Sequence, residues 1–122
     1  MSYVDGFLLP IKKAKLAEYK KLAKKAAKIF LKLGALEYRE CVGDDLNPPW
    51  GLAFPKLMKL KPDETVVFAW IVYKSRAHRD KVNKAMMSDP QMTADMEGKE
   101  MPFDMKKMAY GGFKTIVEAM AK

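Results

Sequence analysis

The pattern of apolar residues along this chain predicts an α+β fold, with helices lying on one face of an antiparallel sheet. Two observations predict it. The elements follow the order strand, helix, strand, edge strand, strand, helix, strand instead of a strict strand–helix alternation, and only two helical stretches are long enough to cover a sheet. A length of 122 residues suits a single domain spanning 1–122, able to bury one core.

Tyr3 to Ile11 reads as a strand of aromatic and branched residues, too short for a helix and apolar on both faces except for Asp5. From Lys13 to Leu33, the residues Leu16, Tyr19, Leu22, Ala23, Ala26, Ile29, Phe30 and Leu33 recur at helical spacing, and Gly34 stands where a helix closes. Leu36 to Val42 alternates, with Leu36, Tyr38 and Val42 on one side and Glu37, Arg39 and Cys41 on the other. Gly43 to Pro49 is turn chemistry, and Phe54 to Leu60 reads as an edge strand interrupted by Pro55, Lys56 and Lys59. Thr65 to Tyr73 is the strongest strand, β-branched and aromatic on both faces. Ser75 is a good N-cap for a helix from Arg76 to Met87, which Pro90 stops. Gln91 to Asp104 is irregular or holds one short helical piece. Lys107 to Phe113 makes a last strand with Gly111-Gly112 marking a bulge or close approach, and a short helix from Thr115 ends the chain.

This order fits the ferredoxin-like βαββαβ sandwich with an extra edge strand. Two helices cover one face of its sheet. A solvated second face should alternate apolar with polar, yet Thr65 to Tyr73 does not, so the reading pairs two sheets face to face in a homodimer.

Composition narrows the setting. One cysteine, Cys41, forms no internal disulfide and has no second cysteine with which to bind metal, so it reads as core. No run approaches a membrane span, and no leader pattern opens the chain, which together predict a cytoplasmic protein. A net charge of +8 raises the chance of an anionic partner. Much of it sits on the first helix, where Lys13, Lys20, Lys21, Lys24, Lys25, Lys28 and Lys32 oppose the apolar stripe. That face is either solubilising or a weak, sequence-insensitive contact for nucleic acid, since no aromatic or arginine platform interleaves with it. Phosphate loops, dinucleotide fingerprints, nucleophile elbows and paired metal ligands are missing from the sequence, so no cofactor or metal is implied.

Several blocks resemble the YbaA-like family of uncharacterised bacterial proteins, in the dimeric α/β-barrel superfamily: Tyr3 to Phe7, Glu40-Cys41, Val66 to Trp70, Arg79-Asp80 with Asn83, Met86 to Pro90, Met101 to Asp104 and Met108 to Phe113. They span nearly the whole chain. The resemblance implies the fold and a sheet-paired dimer, but no activity and no catalytic residue. This chain departs from the family in its stronger basic charge and in Lys107, where arginine is more usual.

Four residues are candidates for a ligand site. Asp5, within an apolar strand, needs either a structural link, to a backbone amide or Tyr110, or a role as a pocket acid or base. His78, the single histidine, is either a general base or a boundary residue with a satisfied hydrogen bond. Trp70 and Tyr110 either line a cavity or pack in the core. Seven of the ten methionines fall between Met86 and Met108, making the Met92 to Phe103 segment, around Gly98, either a pliable cover or a loose flap. The first reading of function is a metal-free pocket between the sheet and the second helix that binds or transforms a small apolar or aromatic molecule. The alternative is a non-catalytic interaction protein, meeting nucleic acid or an acidic partner through the lysine-rich helix.

Overall fold

The structure, a computed structural model, describes residues 2–96 and 101–121. Four antiparallel strands form one sheet in the order β2-β3-β1-β4, the strand order of the ferredoxin-like fold. The strands are β1 (Tyr3–Lys12), β2 (Glu37–Val42), β3 (Glu64–Tyr73) and β4 (Ala109–Lys114). β1 and β3 occupy the centre, paired over their full length from Tyr3↔Tyr73 to Lys12↔Glu64.

Helix α1 (Leu16–Lys32) is entered through a single 3-10 turn and presents Ile29 to the core. Its apolar stripe buries that face, while its lysines at 20, 21, 24, 28 and 32 stay exposed. The chain leaves α1 through Gly34, whose φ of 117° lies in the region glycine tolerates. Helix α3 (Arg76–Met87) begins where the Ser75 hydroxyl accepts the backbone N–H of His78 at 3.1 Å, and it buries Val82 and Met86. A further short helix, α4 (Pro90–Met96), is the one helical piece expected after Pro90.

Two expected elements are corrected. Phe54 to Leu60 is no edge strand: Phe54–Leu57 forms the one-turn helix α2, because Pro55 falls in its first turn, where the missing N–H costs nothing. Residues 116–121 form no helix. They run on irregularly, held to the N-terminus by Thr115 N–H donating to the Ser2 carbonyl at 3.2 Å.

The core has two parts. Ile29, Ala35, Ile71, Tyr73, Val82 and Met86 pack at one end of the helix-covered face, and Leu9, Ile11, Val67 and Ala69 at the other. On the opposite face, Phe68 is 45% and Phe113 62% exposed, beside Trp70, Val4 and Leu8. Cys41 is exposed as well, not core: it pairs in register with Phe68 and so shares that open face.

Candidate functional site

A cavity of about 310 Å³ lies between α1 and the sheet, where the two halves of the core adjoin. Ile71 contributes from one half, Leu9 and Ala69 from the other, with Phe7 between them. Leu22, Ala26 and Phe30 of α1 form its roof, because helical spacing sets these residues on one stripe. One side is closed by Met92 of α4 together with Met101, Phe103, Met105 and Met108. This segment is anchored where the Asp104 side chain accepts the Lys106 N–H at 3.0 Å and where the Phe103 ring meets Tyr19 edge-on at 5.5 Å.

Polar chemistry enters the cavity at Lys25 of α1 and at a cluster centred on β2. Tyr38 and Glu40, two residues apart on β2, share the helix-facing side of that strand, and Tyr19 reaches them from α1. Tyr19 Oη donates to Glu40 Oε1 at 2.6 Å, and Tyr38 Oη donates to Oε2 at 2.6 Å. Burial, reinforced by the Glu40 charge, pushes both phenols well above the ordinary tyrosine range, so both remain protonated donors at any physiological pH. Glu40 also lines a second, more open hollow of about 510 Å³ on the other flank of α1, bounded by Leu16, Lys20, Ala27 and Val42. The carboxylate therefore stands at the partition between two hollows.

The four residues expected at the site are not brought together. Asp5 is buried on the helix-facing side, but Arg79 Nη1 of α3 donates to its Oδ1 at 2.7 Å. Its structural link is thus to Arg79 and not to a backbone amide or Tyr110. Burial raises the Asp5 carboxyl above its ordinary value, against the pull of Arg79 and Asn83. Arg79 is further engaged by Asp80 at 2.7 Å and lies 5.1 Å from the Tyr3 ring centre. Trp70 sits on the open face, since it faces Gly6 in register and adjoins Ile71, the neighbour that points to the helices. There it donates Nε1–H to Glu37 at 2.6 Å. His78 accepts the Lys74 N–H through Nδ1 at 3.0 Å and meets Tyr73 edge-on, at the far end of α3 from the cavity. Tyr110 is 72% exposed and stacks on Phe7 at the edge of the sheet. Of the expected cover, Met92, Met101 and Phe103 do line the cavity, which lies under α1 and not under α3; Gly98 and its neighbours 97–100 fall outside the described residues.

Tyr19, Tyr38 and Glu40 are the residues that reading the sequence missed. The available signal was parity: in Leu36, Tyr38, Glu40, Val42 an acid occupies the inward register of an alternating strand. Among the described residues, no group of three or more His, Cys, Asp or Glu is placed to hold a metal ion, and no helix is long and apolar enough to cross a membrane.

Sheet order, helix layer and cavity together define a ferredoxin-like α+β domain with an apolar hollow under its first helix. The chain belongs to the family described as "Protein of unknown function (DUF1428)", whose model matches residues 2–105. It is 42% identical over 118 residues to "Uncharacterized protein YbaA" of Escherichia coli (strain K12), covering 97% of this chain and 99% of that protein. The same figures hold for the YbaA proteins of Escherichia coli O157:H7 and Shigella flexneri. A de novo designed protein, Foldit4, is a distant structural neighbour at a TM-score of 0.47 and 8% identity, with 94% of this chain and 99% of that chain covered.

Proposed function

We propose that this protein binds a small, largely apolar molecule in the cavity beneath α1, with no metal taking part. The observation that carries the reading is the hollow itself. At about 310 Å³ it falls at the small end of the range for ligand pockets, and its largely apolar wall carries a hydrogen-bonded cluster of Tyr19, Tyr38 and Glu40, with Lys25 also on the lining. A concave apolar pocket with a few convergent polar groups is the usual form of a small-molecule site, which argues for an occupant. Extracting protein purified from its own host and identifying the released compounds by mass spectrometry tests this. One recurrent apolar compound in the wild type, absent from the cavity-filling variant Ala26→Phe, is the expected result. Equal recovery from both proteins would refute it.

The working unit we propose is a homodimer in the cytoplasm. What supports the dimer is the open face, where Phe68, Trp70, Val72 and Phe113 border a shallow apolar hollow of about 640 Å³ that a second copy would cover with an identical surface. Phe68→Glu is expected to shift the protein to monomers in light scattering. What supports the compartment is an exposed, unpaired thiol on that same face, suited to a reducing environment.

A further inference from the structure

Resting on that pocket reading, we infer that the ligand's apolar body ends in a protonated amine for which Glu40 is the counter-ion. The argument starts from what the carboxylate still lacks. Each Glu40 oxygen accepts one phenol, and each carboxylate oxygen can accept a second hydrogen bond. Its aromatic and aliphatic neighbours in the cavity, Phe30, Ile71 and Phe103, offer no donor, Tyr19 and Tyr38 have spent theirs, and Lys25, which also lines the cavity, is engaged in an interaction of its own. A ligand that brings an ammonium N–H into this corner satisfies the remaining capacity with a hydrogen bond in which both partners are charged, whereas a hydroxyl brings no charge of its own.

The aromatic wall favours the same charge. Tyr19 with Phe103, and Phe30 with Tyr38, form two ring pairs at 5.5 and 5.6 Å that line the cavity. Aromatic rings attract an ammonium group, and more strongly as the ligand's own apolar body displaces water from them. An acid would instead meet a like charge at the half-buried Glu40, which disfavours it. Lys25 lines the cavity as well and is already engaged, so a cation preference requires Glu40 and the ring pairs to outweigh that one positive charge. The preference runs against the chain's overall charge of +8, which attracts anions everywhere else on the surface. A cation preference would therefore report the cavity and not the protein's field.

Calorimetric titration with octylamine, octan-1-ol and octanoate at neutral pH and physiological salt tests the inference on the wild-type protein. Octylamine is expected to bind at least tenfold more tightly than octanol, and octanoate least tightly. Glu40→Gln should bring octylamine down to the octanol level, and Ala26→Leu should weaken all three by filling the hollow. Equal binding of amine and alcohol, preference for octanoate, or octylamine binding untouched by Ala26→Leu would each overturn the amine assignment. In the first two cases the pocket itself would stand, provided Ala26→Leu weakens whatever binds. Failure of all three probes to bind would overturn the assignment and the pocket together.

Discussion

Asp5 and Glu40 are both acids on the helix-facing side of the same sheet, yet they are compensated in opposite ways. Asp5 is matched by a cation, Arg79, itself shared with Asp80 and laid over Tyr3, so the site is closed on all sides by its own chain. Glu40 is matched by two neutral phenols and borders open space on both flanks of α1. A buried charge answered by an opposite charge is structural, tying β1 to α3. One answered by neutral dipoles keeps its charge on offer.

The difference can be tested by breaking each site in turn. The largest effect is expected for Arg79→Met, which leaves Asp5 buried without its cation: a loss of about 3 kcal/mol in urea denaturation, much of it recovered in the double variant with Asp5→Asn. Next is Gly112→Ala. A Cβ there would press on the Tyr3 hydroxyl and stand 2.7 Å from Tyr3 Cε2, beneath Arg79, so a loss of about 2 kcal/mol is expected, with partial rescue by Tyr3→Phe. At the other acid, Tyr19→Phe removes one donor from a carboxylate that water can still reach through the adjoining hollows, and about 1 kcal/mol should be lost. If Tyr19→Phe costs as much as Arg79→Met, the contrast between closed and open acids fails.

The smallest effect is a pH slope. Burial raises Asp5 above its ordinary 3.8, so the folded protein holds that proton more tightly than the unfolded chain. Stability from this group is complete below 3.8 and falls as pH rises through the folded-state value. Denaturation across the acidic range should show the wild type losing stability relative to Asp5→Asn as pH rises through that window. The opposite slope would mean that Arg79 outweighs burial.

Wherever local pattern decides the outcome, the sequence was readable. Ser75 and Pro90 bracket α3 at the bounds observed, Gly34 ends α1, and the β-branched run sets β3. Phe54 to Leu60 was misread because its apolar spacing suits either state and Pro55, taken as an edge-strand mark, serves equally in a first helical turn. The candidate site was less readable for two separate reasons. The Asp5–Arg79 pair joins residues 74 apart, a distance no local pattern spans. Trp70 and Glu40, by contrast, were open to strand parity: alternation puts Trp70 opposite Ile71, and Glu40 level with Tyr38. Sorting amphipathic residues by type without following parity put Trp70 in the pocket and left Glu40 out of it.

The first strand in the chain is also a central strand of the sheet, and this governs how the molecule comes together. β1 pairs on one side with β3, where Tyr3 faces Tyr73, and on the other with β4, where Tyr3 faces Lys114. Neither ladder can close until distant chain has been made, so β1 has no strand partner until β3 has been synthesised. High contact order of this kind slows folding by orders of magnitude relative to helical bundles, to roughly milliseconds or longer. Throughout that wait an apolar strand is exposed on both edges, and Asp5 is the residue that keeps it from being uniformly apolar on its inner side. The acid that Arg79 neutralises in the folded protein is thus also the one charged residue on that strand's inner side before folding, where a charge disfavours association with other chains.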